Sequence, residues 1–253
     1  MSVNVSRRTV FALIAVACIL SFAAVDHHWR VMRSERTRRS FRQLSMWLHD
    51  IGTPFADIEC SDNKTPCISW RGHLVDWVVP KPTHLKRTES WSQPDNLLLG
   101  YWGPLTHLSN EAQGAPIVWR VVGQGTAFVA SSDREFDSEL KQRLRKSVVV
   151  FVETEKGDEH WMKPGDLSVE KLIEAQGTPM HNFVGGPSDG IAFHVGFSNG
   201  DVVRLRSSMP ACEFAKLAQY KTAGVSYHNQ IIAPYRCDLV AAELHEFTRL
   251  VPN

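Results

Sequence analysis

The chain has 253 residues and a nearly even charge balance, 28 Lys and Arg against 27 Asp and Glu, for a formal net charge of +1. That balance excludes a chain-wide polyanion binder, and nucleic acid is not an expected partner. Past residue 52, about 200 residues remain, enough for one domain with a real core or for two small ones.

The N-terminus is the most patterned part. Behind Arg7 and Arg8, residues 9–25 carry no charge. At about 17 residues this run lies at the short end for a membrane span. Three readings suit it: a retained single-pass anchor, a secretory signal cleaved at the small residues Ser21-Phe22-Ala23, and a twin-arginine export signal in Ser6-Arg7-Arg8 followed by Thr9-Val10-Phe11. His27 and His28 follow it. Adjacent histidines point in different directions on a helix, so they read as interfacial polar residues rather than metal ligands.

Arg30, Arg33, Arg36, Arg38, Arg39 and Arg42 then stand against Glu35 alone. Such a block meets anionic lipid headgroups or forms a solvated helical neck. The positive-inside rule applied to it places the following domain in the cytoplasm, whereas Arg7 and Arg8 argue for the opposite orientation. Composition therefore leaves the orientation open.

Phe41, Leu44, Trp47, Leu48 and Ile51 fall at helical spacing on one face, with Arg38, Arg39, Arg42 and Gln43 on the other. Gly52 and Pro54 end the pattern. The expected object is one long helix, apolar at its start and amphipathic at its end, whose apolar face from Phe41 onward buries against the domain that follows.

Residues 53–117 are rich in turn formers, among them Pro80, Pro82, Gly100, Gly103 and Pro104, with Trp70, Trp77, Trp91 and Trp102 spread between them. This predicts short helices and loops around aromatic core anchors. Residues 117–122 and 148–152 read as strands. Between them, 133–146 reads as an exposed charged helix held by packing, since Glu135/Glu139 and Lys141/Arg145 are like-charged pairs. Ile191, Phe193, Val195 and Phe197 alternate with Ala192, His194, Gly196 and Ser198, predicting a strand with one buried face and His194 at the surface or an edge. Asn199-Gly200 predicts a two-residue hairpin turn with positive φ at both positions, returning through 202–205. Short helices are expected over 212–220 and 239–250.

The chemistry-bearing residues assemble no constellation. Asp158-Glu159-His160 reads as solvated charge after a strand. Gly123-Gln124-Gly125 lacks a P-loop lysine and reads as a tight turn between strands. Ser188-Asp189 has no histidine partner at a telling spacing, and eleven histidines allow a triad to be assembled on paper anywhere. No catalytic, cofactor-binding or metal-binding residue is assigned. Cys18 lies in the apolar run. In an exported domain Cys60–Cys67 would close a local disulfide and Cys212–Cys237 a second; free thiols are the other reading, and neither spacing suits zinc.

An arginine, Phe11 and an apolar run, an Arg-rich neck and an amphipathic tail together resemble the stalk of a type IV pilin or pseudopilin. Arg38-Arg39-Ser40, Gln43-Leu44 and Leu48-His49-Asp50 are similar to a large family of pseudopilin-like proteins of unknown function, of planctomycete type, named for an H-x9-D-G motif. Ser69-Trp70-Arg71 resembles the family's SWR segment, and Trp91 to Asn96 its PWDSPHN stretch. Val121 to Phe128 resembles VVGPGTAF. Val149 to Glu153 with His160 to Leu167 resembles VVEV and PWTKPEDL, and Phe193 to Val202 resembles FNVLFADGSV. The likeness runs in order from residue 7 to about residue 220. Departures are specific. Asp189 stands at the signature histidine, Asn199 replaces the motif aspartate, and Gly200 is kept. Val10 and Ala15 occupy the positions where pilin-type signals carry Gly and Glu, so prepilin-peptidase processing and fibre assembly are not implied.

The expectation is thus an α+β fold: a long N-terminal helix, its first half membrane-embedded, packed on an antiparallel β-sheet in a pilin-like roll with irregular loops. The expected divisions are 1–52 (helix), 53–220 (head) and 221–253 (C-terminal extension). The resemblance implies a non-enzymatic protein in the inner membrane, contacting lipid through residues 9–25. Its head would be periplasmic, working by self-association or on envelope or secretion partners. A competing expectation is an exported enzyme or ligand-binding domain with a cleaved signal, whose pocket would gather Asp158, His160 and Asp189. A third is a diverged member that has lost its assembly role.

Overall fold

The computed structural model describes residues 7–50, 58–59, 66–72, 85–86, 88–96, 118–128, 142, 144–154, 165–185, 191–219 and 225–237. They form α1 (Arg7–Asp50), β1 (Ile58–Glu59), β2 (Pro66–Ile68), β3 (Val118–Val122), β4 (Val149–Glu153), β5 (Leu167–Ser168), α2 (Val169–Glu174), α3 (His181–Val184), β6 (Ala192–Phe197), β7 (Val202–Arg206), α4 (Ala211–Ala218) and α5 (Val225–Ile232). Compactness divides the chain into Met1–Arg36 and Thr37–Asn253.

In the first unit, residues 7–36 are helical, and most of the apolar side chains described there stand exposed, Phe11, Ile19, Leu20 and Phe22 among them. The helix is long and apolar enough to cross a membrane. Ser21, a polar residue within the uncharged run, donates its hydroxyl to the Ala17 carbonyl at 2.8 Å and so satisfies itself within the helix.

The second unit is built on a five-stranded sheet in the order β5-β3-β4-β6-β7. Four strands pair antiparallel, as expected, but β5 pairs parallel to β3, with Val121 opposite Leu167 and Val122 opposite Ser168. The sheet is therefore mixed rather than antiparallel. Asp166, which directly precedes β5, is bound to Arg120 of β3 and so fixes β5 at that edge. A separate two-stranded pairing joins β1 to β2.

Both faces of the sheet are covered. On one, Phe41, Leu44 and Leu48 of α1 pack with Ile68, Trp70, Val118, Phe128 and Phe151. On the other, Val121, Val152, Phe193, Val195 and Leu205 pack with Leu172 of α2, Phe214 and Leu217 of α4, and Ile231 and Ile232 of α5. The apolar stripe of residues 37–50 thus buries as its spacing predicts, while Arg38, Arg39, Arg42 and Gln43 stay exposed. Ile51 lies outside the described residues.

Three strand-level expectations are corrected. Every residue of β6 is buried, not one face only, because β6 is an inner strand between two cores. His194 is accordingly interior, 6% exposed. The β6–β7 turn has three residues: Gly200 N–H donates to Phe197 O, Phe197 N–H donates to Asp201 O, and Gly200 has φ +90°. Among described non-glycine residues only Ser147 has positive φ, so Asn199 does not. That is a type I turn closed by a glycine bulge, the other common short hairpin.

Cys212 and Cys237 are free thiols rather than a disulfide. Cys212 sits in the first turn of α4. Cys237 is buried beyond α5, where its sulfur accepts from Arg204 Nη1 at 3.9 Å. Cys60 lies outside the described residues. So do the helix expected over 239–250 and most of 133–146, of which Leu144 is buried and Arg145 exposed. Within the stretch expected as a C-terminal extension, α5 packs into the second core. The chain after it then pairs with β7: Tyr235 O accepts from Arg206 N at 2.7 Å, and Arg204 O accepts from Cys237 N at 3.0 Å. The sheet edge that β7 would otherwise expose is covered.

Candidate functional site

Several of the sequence motifs meet around one tryptophan. Trp70 follows β2 and is fully buried, stacked on Phe151 of β4 with ring centroids 5.7 Å apart. The guanidinium of Arg71 lies 4.9 Å from its ring centroid and that of Arg120 lies 5.6 Å away; Arg120 is also 5.5 Å from Phe128. Both arginines are 0% exposed. Taking two cations out of water is tolerable only with close partners. Arg71 Nε donates to Val118 O at 3.0 Å and Nη1 to Ser69 Oγ at 3.1 Å. Arg120 binds Asp166 by side chain, Nε to Oδ1 at 3.1 Å, and by backbone, N to Oδ1 at 3.2 Å, with Nη2 closing the fork on Oδ2. Ser69-Trp70-Arg71, the strand before Val121, Phe128 and Asp166-Leu167 are therefore parts of one internal joint.

The Val121 to Phe128 segment turns sharply after β3. Thr126 N donates to Gly123 O at 3.2 Å, and Gly123 N donates to Phe128 O at 2.9 Å. Gly123-Gln124-Gly125 is the tight turn expected of it, with φ +133° at Gly123 and +83° at Gly125. The anion it receives is internal: Glu170 Oε1 accepts from Gln124 N at 2.6 Å, while Oε2 accepts from the Ser168 hydroxyl at 2.8 Å. Ser168 also caps α2 through Lys171 N. Burial pushes the Glu170 carboxyl upward, but the Gln124 N–H, the Ser168 hydroxyl and its own backbone N–H outweigh that and hold it below its ordinary value.

Asn96 does similar work in the Trp91 to Asn96 segment. Fully buried, it accepts from Lys86 N at 3.0 Å and donates to the carbonyls of Lys86, Glu89 and Ser90 at 3.0–3.2 Å.

One further polar contact crosses the sheet. Glu153 Oε2 takes both the backbone N–H of His194 at 2.9 Å and its Nδ1 at 2.7 Å. Arg204 stands opposite His194 on β7, so Glu153, His194 and Arg204 lie in one row across three strands. Both members of the Glu153–His194 pair are about 7% exposed by side chain, which fits a pair that ties strands together rather than one that meets substrate.

Of the residues weighed in the sequence, His27 and His28 are exposed on α1. Asp158-Glu159-His160 and Ser188-Asp189 lie outside the described residues. The structure adds Arg71, Arg120, Glu153, Asp166 and Glu170. The sequence motifs include Arg71, Glu153 and Asp166 but not Arg120 or Glu170, and only the strand register reveals which charge meets which. Among the described residues no group of three or more His, Cys, Asp or Glu could hold a metal ion. Comparison of the chain with protein-family models, curated proteins and solved structures gives no match.

Proposed function

We propose that this chain is a membrane-anchored, pseudopilin-like protein: a pilin-like α+β head on a single inner-membrane helix, working by contact with copies of itself or with envelope or secretion partners. The observation that carries the reading is the division of labour along α1. Its uncharged run holds exposed apolar side chains such as Phe11 and Phe22, whereas from Thr37 onward it supplies the head core through Phe41, Leu44 and Leu48. An apolar surface of that kind has lipid as its natural solvent. The role of the motif residues supports contact over catalysis. Arg71, Asp166 and Asn96, with Arg120 as the partner of Asp166, are spent inside the head, on one another and on the backbone.

The proposed orientation puts the head in the periplasm. Protease added to the cytoplasmic face of membrane vesicles should leave the head intact, and digestion from that face would overturn the reading. Val10 and Ala15 lead us to propose an uncleaved anchor rather than a fibre subunit; fibres or cross-linked multimers in cells would count against that part.

A second reading keeps one specific support. Among the described residues the head core draws on α1 through Phe41, Leu44 and Leu48, all of which cleavage near Ala23 would leave in place. The product would be an exported soluble enzyme or binding domain. N-terminal sequencing of mature protein discriminates: a start near Ala24 in the soluble periplasm favours this reading, and an intact N-terminus in the membrane favours the first.

A further inference from the structure

The uncharged run is too short for the task proposed for it. At 1.5 Å per residue, residues 9–25 span about 25 Å, against a hydrocarbon core of roughly 30 Å. The helix does not lose its apolar character at Val25, however. Phe22, Val25, Trp29 and Met32 follow one another at spacings of three, four and three, along a single stripe, and are 78%, 54%, 68% and 55% exposed. The charges that interrupt the composition between them cancel. Asp26 and Arg30 sit one turn apart, and Arg30 Nη2 binds Asp26 Oδ2 at 2.5 Å.

We infer that the lipid-contacting surface of α1 continues to Met32, with Trp29 anchored at headgroup level and the Asp26–Arg30 pair entering the interface as a neutral unit. This deepens, and rests on, the anchoring reading above. From residue 9 to residue 32 the helix measures about 36 Å, which covers the hydrocarbon core and reaches into the headgroup layer. Tryptophan is suited to that depth because its ring is apolar while its indole N–H can still find water or a phosphate oxygen. Pairing lowers the cost of bringing Asp26 near lipid, since an isolated carboxylate there would be strongly disfavoured. The partner is therefore the interfacial layer of a phospholipid bilayer, and the stripe Phe22–Val25–Trp29–Met32 is the surface that meets it.

The test uses the full chain in phosphatidylcholine vesicles whose acyl chains are brominated either near the carbonyl or near the terminal methyl. Trp29→Phe isolates the residue: subtracting the variant's emission from that of the unaltered chain leaves the Trp29 signal, and the exposed position keeps folding out of the comparison. The expected signal is blue-shifted and quenched several-fold more by shallow bromine than by deep bromine. If the protein floats with the vesicles while Trp29 emits at the wavelength of exposed indole and neither lipid quenches it, the anchor stands and this inference falls. If the protein does not float with vesicles at all, the anchoring reading fails first, and this inference with it.

Discussion

Gly196 of β6 leaves the space that Phe41 of α1 fills. A Cβ built on Gly196 would stand 2.6 Å from Phe41 Cδ1, and the Phe41 ring meets Phe151 edge-on, with centroids 6.4 Å apart at 89°. Beside them Ser45 donates to Phe197 O at 3.1 Å. The amphipathic part of α1 is thus seated on the sheet by one missing side chain. Gly196→Ala should overpack this contact and destabilise the head by about 1–3 kcal/mol. Phe41→Leu in the same chain should recover part of that loss, because it withdraws the ring edge. Thermal unfolding of the four-member mutant cycle in detergent measures the coupling; additive losses would show that the two residues do not compete for the same space.

The Arg120–Asp166 fork is the second joint. It is buried, with side chains 0% and 5% exposed, and it holds β5 to β3. Asp166→Asn leaves Arg120 interior with its main counter-charge gone and should cost about 3–5 kcal/mol. Replacing both partners, Arg120→Met with Asp166→Leu, should cost clearly less than the sum of the single changes, because neither member of the pair is then left as a buried charge without the other. Denaturant midpoints of the two single variants and the double variant check the sign of the interaction.

These two joints differ in how far the sequence exposed them. The stripe Phe41, Leu44, Leu48 was legible because a 3.6-residue period names the buried face of a helix without any knowledge of its partner. Strands β3, β4, β6 and β7 were legible from branched and aromatic content, and Gly200 from the turn it terminates. The pairing of Arg120 with Asp166, 46 residues on, was not. It depends on β5 returning parallel to β3, and a two-residue strand has no period to read. His194 was misplaced for a related reason. Alternation sorts residues into two faces, but only the sheet order shows that both faces of β6 are covered. The second core also draws on α5, where Ile231 and Ile232 are the sole adjacent apolar pair in a mostly polar turn, too weak a signal to mark a docking helix.

The turn after β3 offers a test of its anion. Glu170 has its carboxyl held below the ordinary value by the Gln124 N–H and the Ser168 hydroxyl, against the upward push of burial. A group depressed in the folded state contributes stability that is fully present above its unfolded value and is lost as the pH falls through the folded one. The loss should therefore fall in the acid range below the ordinary carboxylate value, and Glu170→Gln should remove this part of the acid sensitivity. Because the side chain is largely exposed, the effect at neutral pH should be small, within about 1 kcal/mol. Gly123→Ala should cost more than Glu170→Gln. It puts a Cβ at φ +133° and drives it into the Glu170 carboxylate and Val169. Melting temperatures of both variants across an acid pH series decide the order.

His228 sets a different pH window, because it is a base with nowhere to put a second proton. It lies on α5, 4% exposed, with its ring 5.8 Å from that of Phe197. Burial pushes its pKa below 6.5, opposed only in part by a hydrogen bond with the Ser147 backbone, and its Nε2 is buried with no hydrogen-bond partner. The charged residues near these contacts are mixed: Arg145 and Lys146 precede Ser147, and Asp201 closes the turn after Phe197. The folded state therefore favours neutral imidazole. The stability this contributes is complete above the unfolded value and is lost as the pH falls through the lower folded one. Protonation should first loosen α5 and the Tyr235–Cys237 segment that covers β7, rather than the whole sheet, because α5 docks chiefly through Ile231 and Ile232. Amide exchange relative to the intrinsic rate at each pH should accordingly speed up over residues 225–237 as the pH falls below 6.5 while β4 and β6 stay protected. His228→Phe replaces the titrating ring with an apolar one of similar size; it should abolish that acceleration and leave the response of Glu170, at lower pH, unchanged. Equal acceleration in the variant would assign the loosening to some other group.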